Sequence, residues 1–319
     1  MPEKPKLILE LDSSQIKTFL KCPMQWHYEY VASITKRTED SKKAMNAGTY
    51  GHTRLQKYYE LRAENDPNAN TASISLPETT EEKTMLPDKE DRLNVIVGVI
   101  SHNGKYRNND VVPFSKESVE VGFSVPFYED AFVKYVICGR IDVVGTLQGM
   151  NVFMDHKFQF RKSYIFERDI QFKTYAFALN KSLGPIVGPF YTAVVNYIRL
   201  TKSVDETAIE RRLISFLPDE IDRWGVRLIE IFDRVARFLQ NDFSPESIWE
   251  NDSIHNWGMC GDQKYGDGTC EFAQLCNAPN FQVSQDRLKL YHIKPVWRPW
   301  DVQETKKERE ETTNETQAQ

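Results

Sequence analysis

Apolar and polar positions alternate most regularly between Val133 and Phe158, and the period there is two. The stretch Cys138–Lys157 reads CGRIDVVGTLQGMNVFMDHK, with Ile141, Val143, Val152 and Met154 marking half-buried strands on either side of Gln148–Gly149. A tight turn at Gln148–Gly149 predicts a β-hairpin over 133–158. In that register Asp142 stands directly opposite Asp155, about 5 Å apart at Cβ. Lys157, two residues on, shares the face of Asp155. Elsewhere the period is that of helices. The pattern predicts helices near 13–31 (opened by a capping Ser), 49–62 with His52 at its N-terminal end, 91–106 and 168–181. A long amphipathic helix over 218–240 carries Ile221, Trp224, Leu228, Ile231, Val235 and Leu239 as a packing stripe. Strands are expected at 117–127 and 190–200. Glu120, on the first of these, reads as a strand-face residue rather than a third site carboxylate. Residues 63–90, rich in Glu, Thr, Asn and Pro, read as a mobile surface insertion, and the polar tail 303–319 as disordered.

Facing carboxylates repel and destabilise a bare sheet. A divalent cation between them removes the conflict, because magnesium and manganese take hard oxygen ligands. The arrangement therefore points to a metal site with an ammonium beside it, suited to metal-assisted attack of water on a phosphodiester. The same three residues on a solvated hairpin edge would be unremarkable. The company they keep favours the first reading: Gly48-Thr-Tyr-Gly-His52 lies upstream, and Gln171 and Tyr175, spaced i and i+4, share one helix face downstream.

Composition narrows the picture only a little. At 319 residues and 40% hydrophobic content, the chain can bury one substantial core plus an appended lobe. No run approaches the ~18 apolar residues that span a bilayer. The opening MPEKPKLILELD lacks the apolar centre of a signal peptide, so a cytoplasmic location is expected. The net charge of −5 argues against a dedicated sequence-reading duplex binder, which is more often basic. A local positive groove drawn from Arg140, Lys157, Arg161, Lys162, Arg168 and Lys173 would still serve a nuclease, although these residues also fit an ordinary solvated face.

Four motifs thus occur in order: Gly48-x-x-x-His52, Gly139-x-x-Asp142, Asp155-x-Lys157 and Gln171-x-x-x-Tyr175, after an opening helix carrying Cys22-Pro23. Together they resemble the RecB-like branch of the PD-(D/E)XK nuclease superfamily, over about Ser13 to Cys276. The third motif has Asp155 where many members carry Glu, which the superfamily's name allows. The resemblance implies an α/β fold, with a restriction-endonuclease-like central mixed sheet flanked by helices. It implies that His52, Asp142, Asp155 and the backbone carbonyl of His156 bind Mg2+ or Mn2+. Lys157 would orient or deprotonate the attacking water, and Gln171 and Tyr175, with Arg140 and Arg161, would contact the DNA strand. The activity expected is exonucleolytic cleavage of single-stranded DNA in recombination, repair or phage DNA processing. A non-catalytic DNA-binding or scaffold module is the alternative. No Gly-x-x-x-x-Gly-Lys-Ser/Thr motif occurs, so any helicase partner would be a separate chain.

Five cysteines in a cytosolic-looking chain do not point to disulfides. Cys138, inside a strand, reads as a small buried hydrophobe. Cys22 stands near the start, and Cys260, Cys270 and Cys276 near the end. This distribution is similar to that of the CRISPR-associated and AddB-like exonucleases, in which four such cysteines hold a 4Fe–4S cluster. The Cys270-x5-Cys276 spacing matches theirs, whereas Cys260-x9-Cys270 is longer by the insert GDQKYGDGT. A zinc site and unligated thiols remain alternatives, though the Cys-x2-Cys knuckle typical of zinc is missing. The expected organisation is one nuclease domain over 1–302, with 13–31 and 245–285 forming a helical cysteine-bearing lobe.

Overall fold

The computed structural model describes residues 6–35, 39–160, 170–240, 270–276, 281–289 and 291–293. Arg161, Cys260, the tail 303–319 and most of 245–285, on which expectations were placed, lie outside them. The chain divides into two compact units. Unit 1 takes Met1–Thr38, Pro126–Cys138 and Gly225–Pro299, and unit 2 takes Glu39–Val125, Gly139–Trp224 and Trp300–Gln319. No linker marks the division in the sequence, because three of its crossings fall inside strands or a helix: β4 (Val119–Glu129), β5 (Val133–Leu147) and α9 (Pro218–Phe238) each run through both ranges.

Unit 2 is built on a mixed sheet. β5 pairs antiparallel with β6 (Met150–Gln159), β6 parallel with β7 (Thr192–Arg199), and β7 antiparallel with β8 (Ile209–Ser215). The short β3 (Val112–Pro113) and β4 also pair with β5. The hairpin register is the one the sequence demands, running from Val143↔Met154 to Leu147↔Met150. Gln148 and Gly149 have φ of 52° and 81°, the left-handed pair that a two-residue turn requires. Parallel pairing of β6 and β7 needs a crossover, and α7 (Ile170–Ser182) lies within it.

Residues of β6 point alternately to the two faces. Val152, Met154 and Phe158 join a core with Tyr50, Leu55, Tyr59, Val95 and Val99, which come from α3 (Glu39–Ala63) and α6 (Lys89–Tyr106). Phe153 meets Tyr175 of α7 at 6.3 Å on the other face. Helices thus flank a central mixed sheet. α3 begins at Glu39 rather than 49, so His52 sits in its interior. Gly51 does not end the helix; it lets the helix approach β6, since a Cβ there would lie 2.3 Å from Phe158 Cζ.

The 63–90 stretch also departs from expectation. It folds into α4 (Ala69–Ile74) and α5 (Thr80–Met85), the latter opened by a reciprocal capping box between Thr79 and Glu82. Two arginines from outside hold it. Arg54, fully buried, donates to the Leu76 carbonyl and to Tyr50 Oη. Arg92 donates to the Leu86 and Pro87 carbonyls at 2.6 and 2.8 Å and to Glu78 at 3.0 Å. The polar composition is genuine, but anchors supplied by neighbouring helices are invisible in it.

In unit 1, β1 (Leu7–Leu11) lies parallel to Val133–Ile137 of β5. α1 (Ser13–Lys21) is capped by Asp12, whose Oδ1 accepts from the Gln15 N–H at 2.8 Å, in place of the expected serine. The rings of Phe19, Trp26 and Phe238 meet edge-on. Leu228, Ile231, Phe232 and Val235 of α9 are buried, so its stripe is packing, as its spacing indicated.

Candidate metal centre and active site

The β5–β6 ladder ends at Val143–Met154. Beyond that rung Asp142 turns its carboxylate to the opposite strand: Oδ2 accepts from the His156 N–H at 2.6 Å and lies 3.2 Å from His156 Nδ1. His52 Nδ1 approaches the same oxygen at 3.4 Å, and Glu120 Oε1 at 3.6 Å. His52, Glu120 and Asp142 offer ligand atoms that all lie within 4.8 Å of one another, the only such group among the described residues.

Glu120 was passed over in the sequence because it falls on a strand. Its φ of 52° explains the discrepancy. A left-handed conformation costs a non-glycine residue about 1–3 kcal/mol and interrupts the strand's alternation, and such outliers cluster at functional sites. No residue pattern announces it. Arg140 Nη1 lies 3.6 Å from Glu120 Oε2, which places this predicted DNA contact at the rim of the same group.

Asp155, buried, engages Lys157 Nζ through Oδ1 at 2.9 Å and Oδ2 at 2.8 Å. Gln171 Nε2 donates to Asp155 Oδ1 at 2.8 Å, and Gln171 Oε1 accepts from Lys157 at 3.3 Å. Gln171 Nε2 also reaches Tyr175 Oη at 3.2 Å, and Tyr175 is itself buried. The two residues expected to line the cleft therefore brace the carboxylate and the lysine from α7.

Charge is unevenly distributed here. Burial opposes ionisation of Asp142, but His52 and the bonds from His156 hold its carboxyl well below the usual range. Asp155 is shifted upward by burial and by the neighbouring Asp142, against the pull of Lys157. Burial also opposes a charge on His52, yet Asp142 and then Glu120 push it up to about 9. Without a metal the protonated imidazole supplies the positive charge these carboxylates demand; a divalent ion would take over that charge and displace the proton. One imidazole nitrogen with carboxylate oxygens is a donor set that a divalent ion of the magnesium or manganese type fits.

A family model of the PD-(D/E)XK nuclease superfamily matches residues 11–277. The chain belongs to that superfamily. None of the curated proteins matches it. Superfamily members are typically metal-dependent nucleases, and the mixed sheet with flanking helices is their restriction-endonuclease-like fold. Within that frame, the glycine of Gly139-x-x-Asp142 has a steric basis, because a Cβ there would meet Phe123 Cζ at 2.7 Å and Tyr175 Cε1 at 3.2 Å. The second and fourth motifs are thereby packed against each other. In the first motif the close contact belongs to Gly51, whereas Gly48 faces open space.

Cys22, Cys138, Cys270 and Cys276 fall within unit 1. Cys22 and Cys276 are buried, Cys270 half-buried and Cys138 fully buried, and none of the four is in a disulfide. Tyr28, which packs on Phe272 at 5.3 Å, has its hydroxyl pKa pushed up by burial and then by Cys276, with Cys22 contributing. Burial also raises Cys270, and Cys22 adds to the shift. Three of the four predicted cluster cysteines therefore share one neighbourhood. No helix among the described residues is long and apolar enough to cross a membrane.

Proposed function

We propose that this protein is a divalent-metal-dependent deoxyribonuclease that degrades single-stranded DNA from an end. The observation that carries the reading is the convergence of His52, Glu120 and Asp142, with the Asp155–Lys157 pair as the neighbouring charge on Asp142. His52, Glu120, Asp142, Asp155 and the His156 carbonyl would hold Mg2+ or Mn2+, the imidazole favouring manganese. When bound, the ion supplies positive charge to the scissile phosphate and lowers the pKa of a water. Lys157 orients that water or takes its proton. Gln171 and Tyr175 keep Asp155 and Lys157 in place, and Arg140 contributes charge for the DNA backbone. A 4Fe–4S cluster on Cys22, Cys260, Cys270 and Cys276 belongs to the same proposal. It is supported by the shared neighbourhood of three of these cysteines and by the sequence resemblance to cluster-bearing exonucleases.

The test is digestion of 5′- and 3′-end-labelled single- and double-stranded DNA with Mg2+, Mn2+ or EDTA. Short products released progressively from one end of single strands, with metal only, are expected. Discrete internal fragments would overturn the exonuclease assignment. No cleavage with any metal would favour the non-catalytic scaffold, a reading that the intact His52, Asp142, Asp155 and Lys157 set opposes.

A further inference from the structure

The residue between Asp155 and Lys157 is the variable position of its motif, valued in the proposal above only for its carbonyl. In this chain it is His156, and its ring is almost wholly enclosed, with the side chain 1% exposed. Tyr59 lies at 5.5 Å, His102 at 5.4 Å and His52 at 6.2 Å, centroid to centroid. Its Nδ1 stands 3.2 Å from Asp142 Oδ2, the oxygen that already accepts the His156 backbone N–H at 2.6 Å. An ionised carboxylate can only accept hydrogen bonds, so the contact requires the proton on Nδ1. The ring's other nitrogen, Nε2, is buried without a hydrogen-bond partner. Leaving Nε2 unsatisfied has a cost. An apolar side chain would fill this space without it, so the imidazole's justification must lie on its Nδ1 side.

Behind the ring runs a continuous chain of polar contacts. His102 Nε2 faces Asn196 Nδ2 at 3.2 Å, Asn196 Oδ1 accepts from Arg211 at 2.8 Å, and Arg211 pairs with Asp110 at 2.6 Å. Asp110 accepts from Tyr59 Oη at 2.9 Å, and Tyr59 returns the chain to the face of His156. We infer that the His156 imidazole is a positioning residue: with its own backbone N–H it grips one oxygen of Asp142 from two directions, so that the carboxylate is presented to the metal in a single orientation. This inference rests on the metal-site reading of Asp142.

The experiment is Mn2+ titration calorimetry on the full chain, with DNA cleavage followed in parallel. In wild type, Mn2+ binding that is lost in Asp142→Ala establishes the site. His156→Asn keeps a donor near the place of Nδ1, His156→Gln moves it toward Nε2, and His156→Leu removes it, while all three keep the backbone. Orienting partners of metal ligands are typically worth about 10–100-fold in metal affinity. Binding should therefore weaken by about that factor in His156→Leu and stay within about threefold of wild type in His156→Asn. The cleavage defect of His156→Leu should be recovered at saturating Mn2+ with the KM for DNA unchanged, which a general packing defect would not allow. His156→Leu binding Mn2+ like wild type, or His156→Asn binding as weakly as His156→Leu, would overturn the inference and leave the nuclease proposal standing. Should His156→Leu fail to fold, the Asn–Gln pair decides: equal affinities overturn it, and weaker binding by Gln supports it. Absence of Asp142-dependent Mn2+ binding in wild type would instead remove the metal reading itself.

Discussion

Lys157 Nζ is shared between both carboxylate oxygens of Asp155, at 2.9 and 2.8 Å. The ammonium thus occupies the charge-neutralising role that a metal ion would contest. Replacing Lys157 by Met keeps the stem's apolar contacts and removes the charge. Turnover should fall about 100- to 10,000-fold, as for loss of a general acid–base group, while Mn2+ binds more tightly because a competitor is gone. Calorimetry and single-turnover cleavage measure the two effects separately. Unchanged turnover would reduce Lys157 to a partner of Asp155.

The two aspartates should part company when neutralised. Asp142→Asn and Asp155→Asn should each abolish cleavage while leaving DNA binding largely intact. In EDTA at pH 7 their stabilities should move in opposite directions. Asp142 is favoured as an anion and Asp155 disfavoured as one, so the first variant should melt below wild type and the second above it. Thermal melts decide this, and a shift of the same sign in both would contradict the charge distribution described.

Glu120 separates affinity from strain. Glu120→Gln should weaken Mn2+ binding about tenfold or more while leaving the metal-free melting temperature near wild type. Glu120→Gly should weaken binding too, yet raise the metal-free stability by about 1 kcal/mol, because glycine accepts a φ of 52° without a steric penalty. Lower stability in Glu120→Gly would show that the residue's contacts outweigh its strain.

Stability should depend on pH on both sides of neutrality. Burial lowers His102 to about 4, against an unfolded value near 6.5. The unfolded chain binds the extra proton first, so His102 costs nothing above pH 6.5. Stability then falls as pH drops from 6.5 toward 4, by about 3 kcal/mol at the full shift. His52, raised to about 9 in the metal-free protein, acts in the opposite direction: its contribution is complete below pH 6.5 and is lost as pH rises through 9. Urea unfolding in EDTA should therefore show a maximum between the two windows. His102→Asn should flatten its acid side, and an unchanged acid limb would contradict the assignment.

Iron separates the cysteine readings. Protein purified anaerobically should be brown and carry about four irons per chain, as a cubane held by Cys22, Cys260, Cys270 and Cys276 requires. Alanine at any of these positions should remove the colour, while Cys138→Ala should retain it, since Cys138 is fully buried within a strand. Colourless protein with one zinc would favour the other metal, and metal-free protein with freely reactive thiols would favour neither.

The sequence disclosed the hairpin and its register, because strand alternation and a two-residue turn are local and leave few choices. It did not disclose Glu120, whose place in the site comes from a backbone torsion rather than from a pattern. It misjudged 63–90, because the groups that hold that stretch are Arg54 and Arg92, outside it and charged. The i, i+4 spacing of Gln171 and Tyr175 showed a shared helix face but not that Gln171 would reach Asp155 with Tyr175 behind it. The boundary between the two units leaves no mark in the sequence, since two strands and a helix run through it unbroken.

Gly51, beside His52 in the chain, leaves bare backbone against the Phe158 ring. The gap between the helix carrying the imidazole and the strand carrying the second aspartate is therefore gauged by an atom that is missing. A methyl group there would act as a shim. Bringing its 2.3 Å contact with that ring out to an ordinary ~3.4 Å takes about 1 Å, more than the difference between the ~2.1 Å bonds magnesium prefers and the ~2.3–2.6 Å bonds of calcium. On the proposed assignment, the reach of the nitrogen donor toward the carboxylates is set at a position that touches no ion at all.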